Sequence, residues 1–230
     1  MKFYIDIGHD ENGDPGAING GLIEHNMNMV TGSALAARLV KHGHIVKVES
    51  GDLDITASAK AANAWGADFI LSQHYNAGGG DRGEVIYAWK NGSEKLANAV
   101  AMGLKNVGQT QVNVVKSKAN SAGTAEYFGI IRTSTMPGVI IEPVFIDNIA
   151  DRQLADTSEE QVQIGISIAD AIASVYGSNL EEEVVVVEQW KLDIIQNAKD
   201  AGLISQDHNP DDPATKWFVL QVIMNALKGV

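Results

Sequence analysis

Residues 5 to 17 read IDIGHDENGDPGA, and the reading of this stretch decides the fold. Phe3, Ile5 and Ile7 recur at every second position, the period of a strand with one face in a core. The run stops at Gly8, and the next residue is His9. Asp10 to Ala17 then supply acids, glycines, an asparagine and a proline, which is turn chemistry rather than packing chemistry. A buried strand thus delivers a histidine to the point where the chain meets water.

Similar runs follow along the chain. Apolar segments at 2–8, 44–50, 67–74, 84–89, 127–132 and 138–145 predict strands. Segments at 25–42, 54–65, 93–107 and 158–176 carry apolar residues three and four apart and predict helices. In the third of these, Ser93 is placed to cap, and Leu96 and Leu104 face inward. Alternation of strands and helices predicts an α/β fold: a twisted, mostly parallel or mixed sheet with helices on both faces. Such sheets bind ligands beyond the carboxyl ends of their strands. His9, His74 and Glu142 all fall at or just past such ends.

Composition bounds the chemistry. The 230 residues fit one full-sized domain plus a small appendage. A net charge of −12 disfavours nucleic acid and anionic membrane surfaces as partners. No window approaches the roughly 18 consecutive apolar residues of a membrane span, so no membrane insertion is expected. With no cysteine in the chain, any metal must be held by His, Asp or Glu. MKFYIDIGHD reads as a strand rather than a secretory leader, which predicts synthesis in the cytoplasm.

The character changes near residue 177. GSNLEEEVVVVEQW predicts a linker at 178–189 after a main domain at 1–177. Residues 190–230 then predict a two-helix module, with Asp212 as N-cap, Pro213 at the first helical position and Trp217, Leu220, Ile223, Met224 and Leu227 on one face. About 40 residues are too few to bury a core alone, so the pair is expected to pack on the main domain, on itself in a homo-oligomer, or on a partner.

Three side chains suit a metal. His9 ends the first strand, Glu24 opens the first helix in GGLIEHN, and His74 ends the third strand in ILSQHYNA. Zinc accepts imidazole nitrogen and carboxylate oxygen, and a catalytic zinc keeps three protein ligands and leaves a position for water. Taken singly, each residue has a plainer reading: a satisfied strand-end histidine, or a first-turn acid that favours the helix dipole. Asp10, Asn12 and Asp14 resemble half a calcium loop, but Pro15 and Gly21 stand where that loop needs Gly and Glu. His25 points about 100° from Glu24 on a helix. His42 and His44 flank Gly43 at a turn and are expected at the surface, and His208 lies in the tail. Glu142 ends the aliphatic run of PGVIIEPVF, where a carboxylate is costly unless used or paired. It is placed to act as general base beside a metal-bound water, or to pair with Arg132 in YFGIIR.

Together, DIGHDENGDPGA, GGLIEHN, AANAWGADFILSQHYNA and IIRTSTMPGVIIEPVFIDN resemble, in order, the motif blocks of the zinc-dependent N-acetylmuramoyl-L-alanine amidases. The resemblance covers most of residues 1–177. It implies Zn²⁺ on His9, Glu24 and His74, and Glu142 as the catalytic base. The implied substrate is bacterial peptidoglycan, cut between the lactyl group of N-acetylmuramic acid and the L-alanine of the stem peptide. Asn76 and Arg132 are expected to contact substrate or the oxyanion. A wall amidase with a small second module most resembles a bacteriophage endolysin that reaches the wall through a holin-made lesion, which implies a wall-binding or oligomerising role for residues 190–230. Departures from the family pattern are Asp10 and Glu11 for a glycine-rich rim, VESGDLDI without the usual arginine, and Pro143 after the catalytic glutamate. Two other readings stand beside it: a zinc carboxypeptidase-like peptidase, whose first ligands are usually an H-x-x-E pair, and a non-catalytic wall-binding module.

Overall fold

The computed structural model describes residues 1–10, 13–50, 55–178, 196 and 198–204. The chain divides into two compact units, Met1–Leu180 and Glu181–Val230. The predicted linker and helix pair, with Trp190, Trp217 and His208, lie outside the described residues apart from residues 178, 196 and 198–204.

In the first unit the elements run β1 (Lys2–Ile7), β2 (Ile18–Asn19), β3 (Leu22–Ile23), α1 (Glu24–Lys41), β4 (Ile45–Ser50), α2 (Ile55–Trp65), β5 (Phe69–Gln73), β6 (Gly83–Tyr87), α3 (Ser93–Asn106), β7 (Val112–Lys116), α4 (Gly129–Thr133), β8 (Gly138–Glu142), α5 (Ile149–Arg152) and α6 (Ser158–Tyr176). Six strands form one sheet in the order β4-β1-β5-β8-β6-β7. The pairs β1–β4, β1–β5, β5–β8 and β6–β7 are parallel. β6 pairs antiparallel with β8, so β6 and β7 run against the other four strands.

The period-2 pattern of β1 sorts its side chains between two cores. Phe3, Ile5 and Ile7 pack with Leu35 and Leu39 of α1, Val100 and Leu104 of α3, and Ile168 and Ile172 of α6. Tyr4 points the other way, with Ile70, Ile86 and Ile140, against Ala59 and Ala62 of α2 and Ile130 and Ile131 of α4. The sheet is therefore mixed and covered on both faces, as its sequence predicts.

Helix α6 begins and ends where expected. Thr157 accepts the Glu160 amide at 3.2 Å while the Glu160 carboxylate accepts the Thr157 amide at 2.8 Å, so two otherwise unpaired N–H groups are satisfied. Leu96 and Leu104 face inward, fully buried.

Several local expectations are corrected. Residues 127–132 form no strand: Gly129–Thr133 is a short helix. Ile130 and Ile131 are adjacent yet both buried, which a strand with alternating faces does not allow against a single core. Edge strand β7 was not foreseen, because its exposed half-buried pattern holds only Val112 and Val114 toward the core. Ser93 is not the cap: Gly92 takes that place, and the Ser93 hydroxyl accepts the Gly138 amide at 3.2 Å. His42 and His44 are buried, not at the surface. His42 Nε2 lies 2.5 Å from Asp170 Oδ1 and its Nδ1 lies 2.8 Å from the Ser178 hydroxyl, while His44 tilts onto the ring of Phe3.

Candidate metal centre

The carboxyl ends of β1, β5 and β8 are neighbours in the sheet, so residues just past them converge. After Ile7 the chain turns sharply. The Gly8 amide donates to the Gln73 carbonyl at 2.9 Å, and its own carbonyl accepts the Asn28 side-chain amide at 3.1 Å. His9 then adopts φ +65°, the one left-handed non-glycine residue among those described. Strain of this kind persists where the surroundings fix it and collects at functional sites. Here the surroundings include Asp14, whose Oδ2 lies 2.9 Å from His9 Nδ1. That contact turns His9 Nε2 toward Glu24, 3.1 Å from its Oε1.

Glu24 opens α1 and is only 3% exposed. Its Oε2 accepts the Ala17 amide at 2.9 Å. Its Oε1 accepts the Tyr75 amide at 3.1 Å and lies 3.1 Å from His74 Nδ1. His74 follows β5 and is anchored by its amide on the Ile141 carbonyl at 2.9 Å. The two imidazole rings stand edge to face, with centroids 5.0 Å apart. One ligand atom from each of His9, Glu24 and His74 lies within 4.8 Å of the other two.

The electrostatics of this cluster call for positive charge. Burial pushes the Glu24 carboxyl up, but hydrogen bonds from His74, His9 and the Ala17 amide outweigh it and hold the group well below the usual carboxylate range. The bond to Glu24 leads the causes that hold His9 up to about 9, against the opposing effect of burial. A buried anion flanked by two imidazoles, one of them backed by Asp14, fits the His/His/carboxylate donor set that zinc accepts. His25 is outside the cluster: it is buried with Nδ1 3.3 Å from the Gly8 carbonyl.

Glu142, the last residue of β8, lies beside this cluster on a separate support. The Asn76 side-chain amide donates to its Oε2, and also to Glu84 Oε2 at 3.1 Å. Burial pushes the Glu142 carboxyl up to about 7; His74 opposes the shift, and the charges of Glu84 and Glu24 add to it. Two carboxylates of opposite character therefore occupy one rim: Glu24 stays ionised, and Glu142 takes and loses a proton near neutrality.

Asn76 is thus brought to Glu142, directly under its carboxylate. Arg132 is not. It rides on α4, and its Nη1 donates to the carbonyls of Glu126 and Tyr127 at 2.9 and 2.8 Å. Among the described residues it shares no hydrogen bond or ion pair with Glu142, so the pairing foreseen for them does not form. Sequence reading gave Asp14 no part beside His9 and did not single out Glu84. Asp14 sits in a run of turn formers where one acid looks like another. Glu84 reaches the rim only because β6 runs backwards, a fact that its local pattern does not carry.

Comparison with known proteins agrees with this geometry. Residues 4–174 match the Amidase_3 family, described as N-acetylmuramoyl-L-alanine amidase. The chain is 29% identical over 182 residues to N-acetylmuramoyl-L-alanine amidase CwlM of Bacillus licheniformis, a match that takes in 76% of this chain and 69% of that one. It is 30% identical over 163 residues to the sporulation-specific N-acetylmuramoyl-L-alanine amidase of Bacillus subtilis, over 69% of this chain and 61% of that one. Among solved structures, Cwp6 from Clostridium difficile shares the fold with a TM-score of 0.68 at 24% identity, over 76% of this chain and 29% of that one. With residues 4–174 of the α/β unit matched, the chain belongs to the N-acetylmuramoyl-L-alanine amidase family.

Proposed function

We propose that the chain is a zinc-dependent peptidoglycan amidase that hydrolyses the amide between the lactyl group of N-acetylmuramic acid and the L-alanine of the stem peptide. The observation that carries this reading is the pairing of a buried, ionised carboxylate between two imidazoles with a second carboxylate that titrates near neutrality. His9, Glu24 and His74 would hold the ion. When bound, zinc acidifies water and polarises a carbonyl. The chain's own groups supply the rest. Asp14 keeps His9 in one orientation, and the amides of Ala17 and Tyr75 keep the Glu24 carboxylate in place. Asn76 occupies Glu142 Oε2, which leaves Oε1 to accept a proton from the attacking water and hand it to the departing L-alanine nitrogen. A group ionised in half the molecules near pH 7 suits both halves of that transfer.

The test is digestion of purified peptidoglycan by the zinc-loaded chain. New N-terminal L-alanine is the expected product. New reducing sugar ends, or full activity in Glu142→Gln, would sink the reading.

The finer reading of an endolysin draws support from the second unit, Glu181–Val230, which follows the catalytic one. An enzyme released at the wall benefits from a part that keeps it there. Expression of the full chain in a bacterial host with and without a holin tests this: lysis only when the membrane is opened supports it, and lysis independent of the holin counts against it.

A further inference from the structure

Glu84 and Glu142 are register partners across the antiparallel pair β6–β8, an arrangement that places two carboxylates directly opposite each other. Like charges in that position destabilise a sheet. The structure answers with one side chain: Asn76 donates from Nδ2 to Oε2 of both. Both hydrogens of its amide are thereby used, and its Oδ1 accepts the Ala77 amide at 2.8 Å. The Asn76 backbone is fixed as well, with its amide on the Val144 carbonyl at 3.0 Å and its carbonyl accepting the Ile146 amide at 2.9 Å. Rotation of the side-chain amide would break three contacts at once.

The far carboxylate is held in turn. Arg82 Nε and Nη2 lie 2.7 and 2.5 Å from Glu84 Oε1, and the guanidinium stacks over the Phe145 ring at 4.8 Å. The Arg82 backbone amide donates to Asp151 Oδ2 at 3.2 Å. Asp151 is 2% exposed and also accepts the Phe145 amide at 2.6 Å and the Gln109 side chain at 2.7 Å. An unbroken series of contacts thus runs from a buried anchor to the proposed general base.

We propose that Arg82 and Glu84 are positioning residues for Glu142: together they fix the Asn76 amide, and Asn76 holds Glu142 Oε2 so that Oε1 is the oxygen presented to the reaction. The inference rests on the reading of Glu142 as general base. Neither residue touches the reacting atoms in this scheme. The charged groups acting on Glu142 are His74, Glu24 and Glu84, with Arg82 behind Glu84. Arg82 pairs with Glu84, one of the two anions that add to the effect of burial on Glu142.

The test uses the full chain and two readouts. With zinc-loaded protein and a soluble muramyl peptide, Glu84→Ala is expected to lower kcat about tenfold or more, with KM changed by no more than about twofold. Glu84→Gln should recover most of the loss, because its carbonyl oxygen still accepts from Asn76. Arg82→Ala should move the acid limb of kcat to higher pH, by leaving the Glu84 charge unbalanced, and Arg82→Lys should move it back. The second readout needs neither metal nor activity: the ¹³C carboxyl resonance of Glu142 in the metal-free chain, assigned by its loss in Glu142→Gln. Its titration midpoint should rise in Arg82→Ala and fall in Glu84→Gln. A midpoint unmoved in both variants overturns the proposal, as does a loss of kcat that the conservative variants do not rescue. A wild-type chain that releases no L-alanine overturns the functional reading instead, and leaves the resonance to decide the role of Arg82 and Glu84.

Discussion

A β-carbon on Gly8 would lie 2.2 Å from Cε1 of His74 and 2.5 Å from both nitrogens of that ring. Gly8 is therefore part of the ligand geometry without offering a ligand atom. Gly8→Ala must push the imidazole aside or lift the end of β1. We expect zinc affinity to fall roughly 10- to 100-fold, the range seen when groups that orient ligands are disturbed. Competition against a chromophoric chelator measures it, and unchanged affinity would show that His74 has another place to go.

Zinc binding should expel a proton from His9. In the metal-free chain its pKa is raised from the ordinary histidine value to about 9, so the group is protonated throughout the neutral range. The stability it contributes is full below about 6.5 and is lost as pH rises through about 9. Ligation needs the neutral ring. Calorimetric titration at pH 7.5 in buffers of different ionisation enthalpy should show about one proton released per ion from this residue. The release should fade above about pH 9, and affinity should climb with pH up to that point. Binding at pH 7.5 with no proton release would falsify the assignment of His9 as a ligand.

Glu142→Gln should separate activity from stability. General acid–base groups contribute roughly 10²- to 10⁴-fold, so amidase turnover should drop by that order. Stability should move the other way. A carboxyl raised to about 7 favours the folded state below the unfolded value near 4.5, and that advantage is lost as pH rises through about 7. The metal-free wild type should therefore lose roughly 1–3 kcal/mol relative to the glutamine variant between pH 5 and pH 8. Urea unfolding of both proteins at the two pH values checks the sign; parallel curves would mean that Glu142 is well solvated.

Gly165 lets α6 lie against α1. A β-carbon there would meet the Thr31 carbonyl oxygen at 2.4 Å and the Leu35 amide nitrogen at 2.8 Å, backbone atoms that cannot swing away. On an open helix, Gly→Ala gains up to about 1 kcal/mol. Here we expect a net loss of about 1–3 kcal/mol from overpacking, read as a lower urea midpoint with unchanged slope. A stabilised Gly165→Ala protein would mean that the two helices can part without cost.

The sequence carried most of the strand ends and little of what lies between them. His9, Glu24, His74 and Glu142 drew notice because each breaks a local pattern: a polar group at the end of an apolar run, or an acid at the start of a helix. Only the order of the motif blocks set them apart from plainer readings. The helical period at 158–176 located α6, and the capping pair of Thr157 and Glu160 came to light only in the structure. Direction was not legible. Nothing in GEVIY says that β6 runs against β8, and with that hidden, neither the opposition of Glu84 to Glu142 nor the part of Arg82 could be seen. The strand expected at 127–132, and with it the pairing of Arg132 with Glu142, failed for a related reason. YFGIIR has strand-forming residues, but the space beside Ile70 and Ile140 is filled by a short helix that keeps both isoleucines on one core.

Reversal of β6 also bears on how the rim beside the candidate metal centre can diversify. The connection from His74 to Gly83 starts and finishes on the same rim of the sheet, because β5 arrives there and β6 departs from there. Asp147 pins its middle through the amides of Gly78 and Gly79. Residues added or removed between those glycines and Asp81 would reshape the rim beside the candidate metal centre while every strand kept its register. Selection among wall chemistries can therefore act on the length of this one loop and leave the hydrolytic groups where they are.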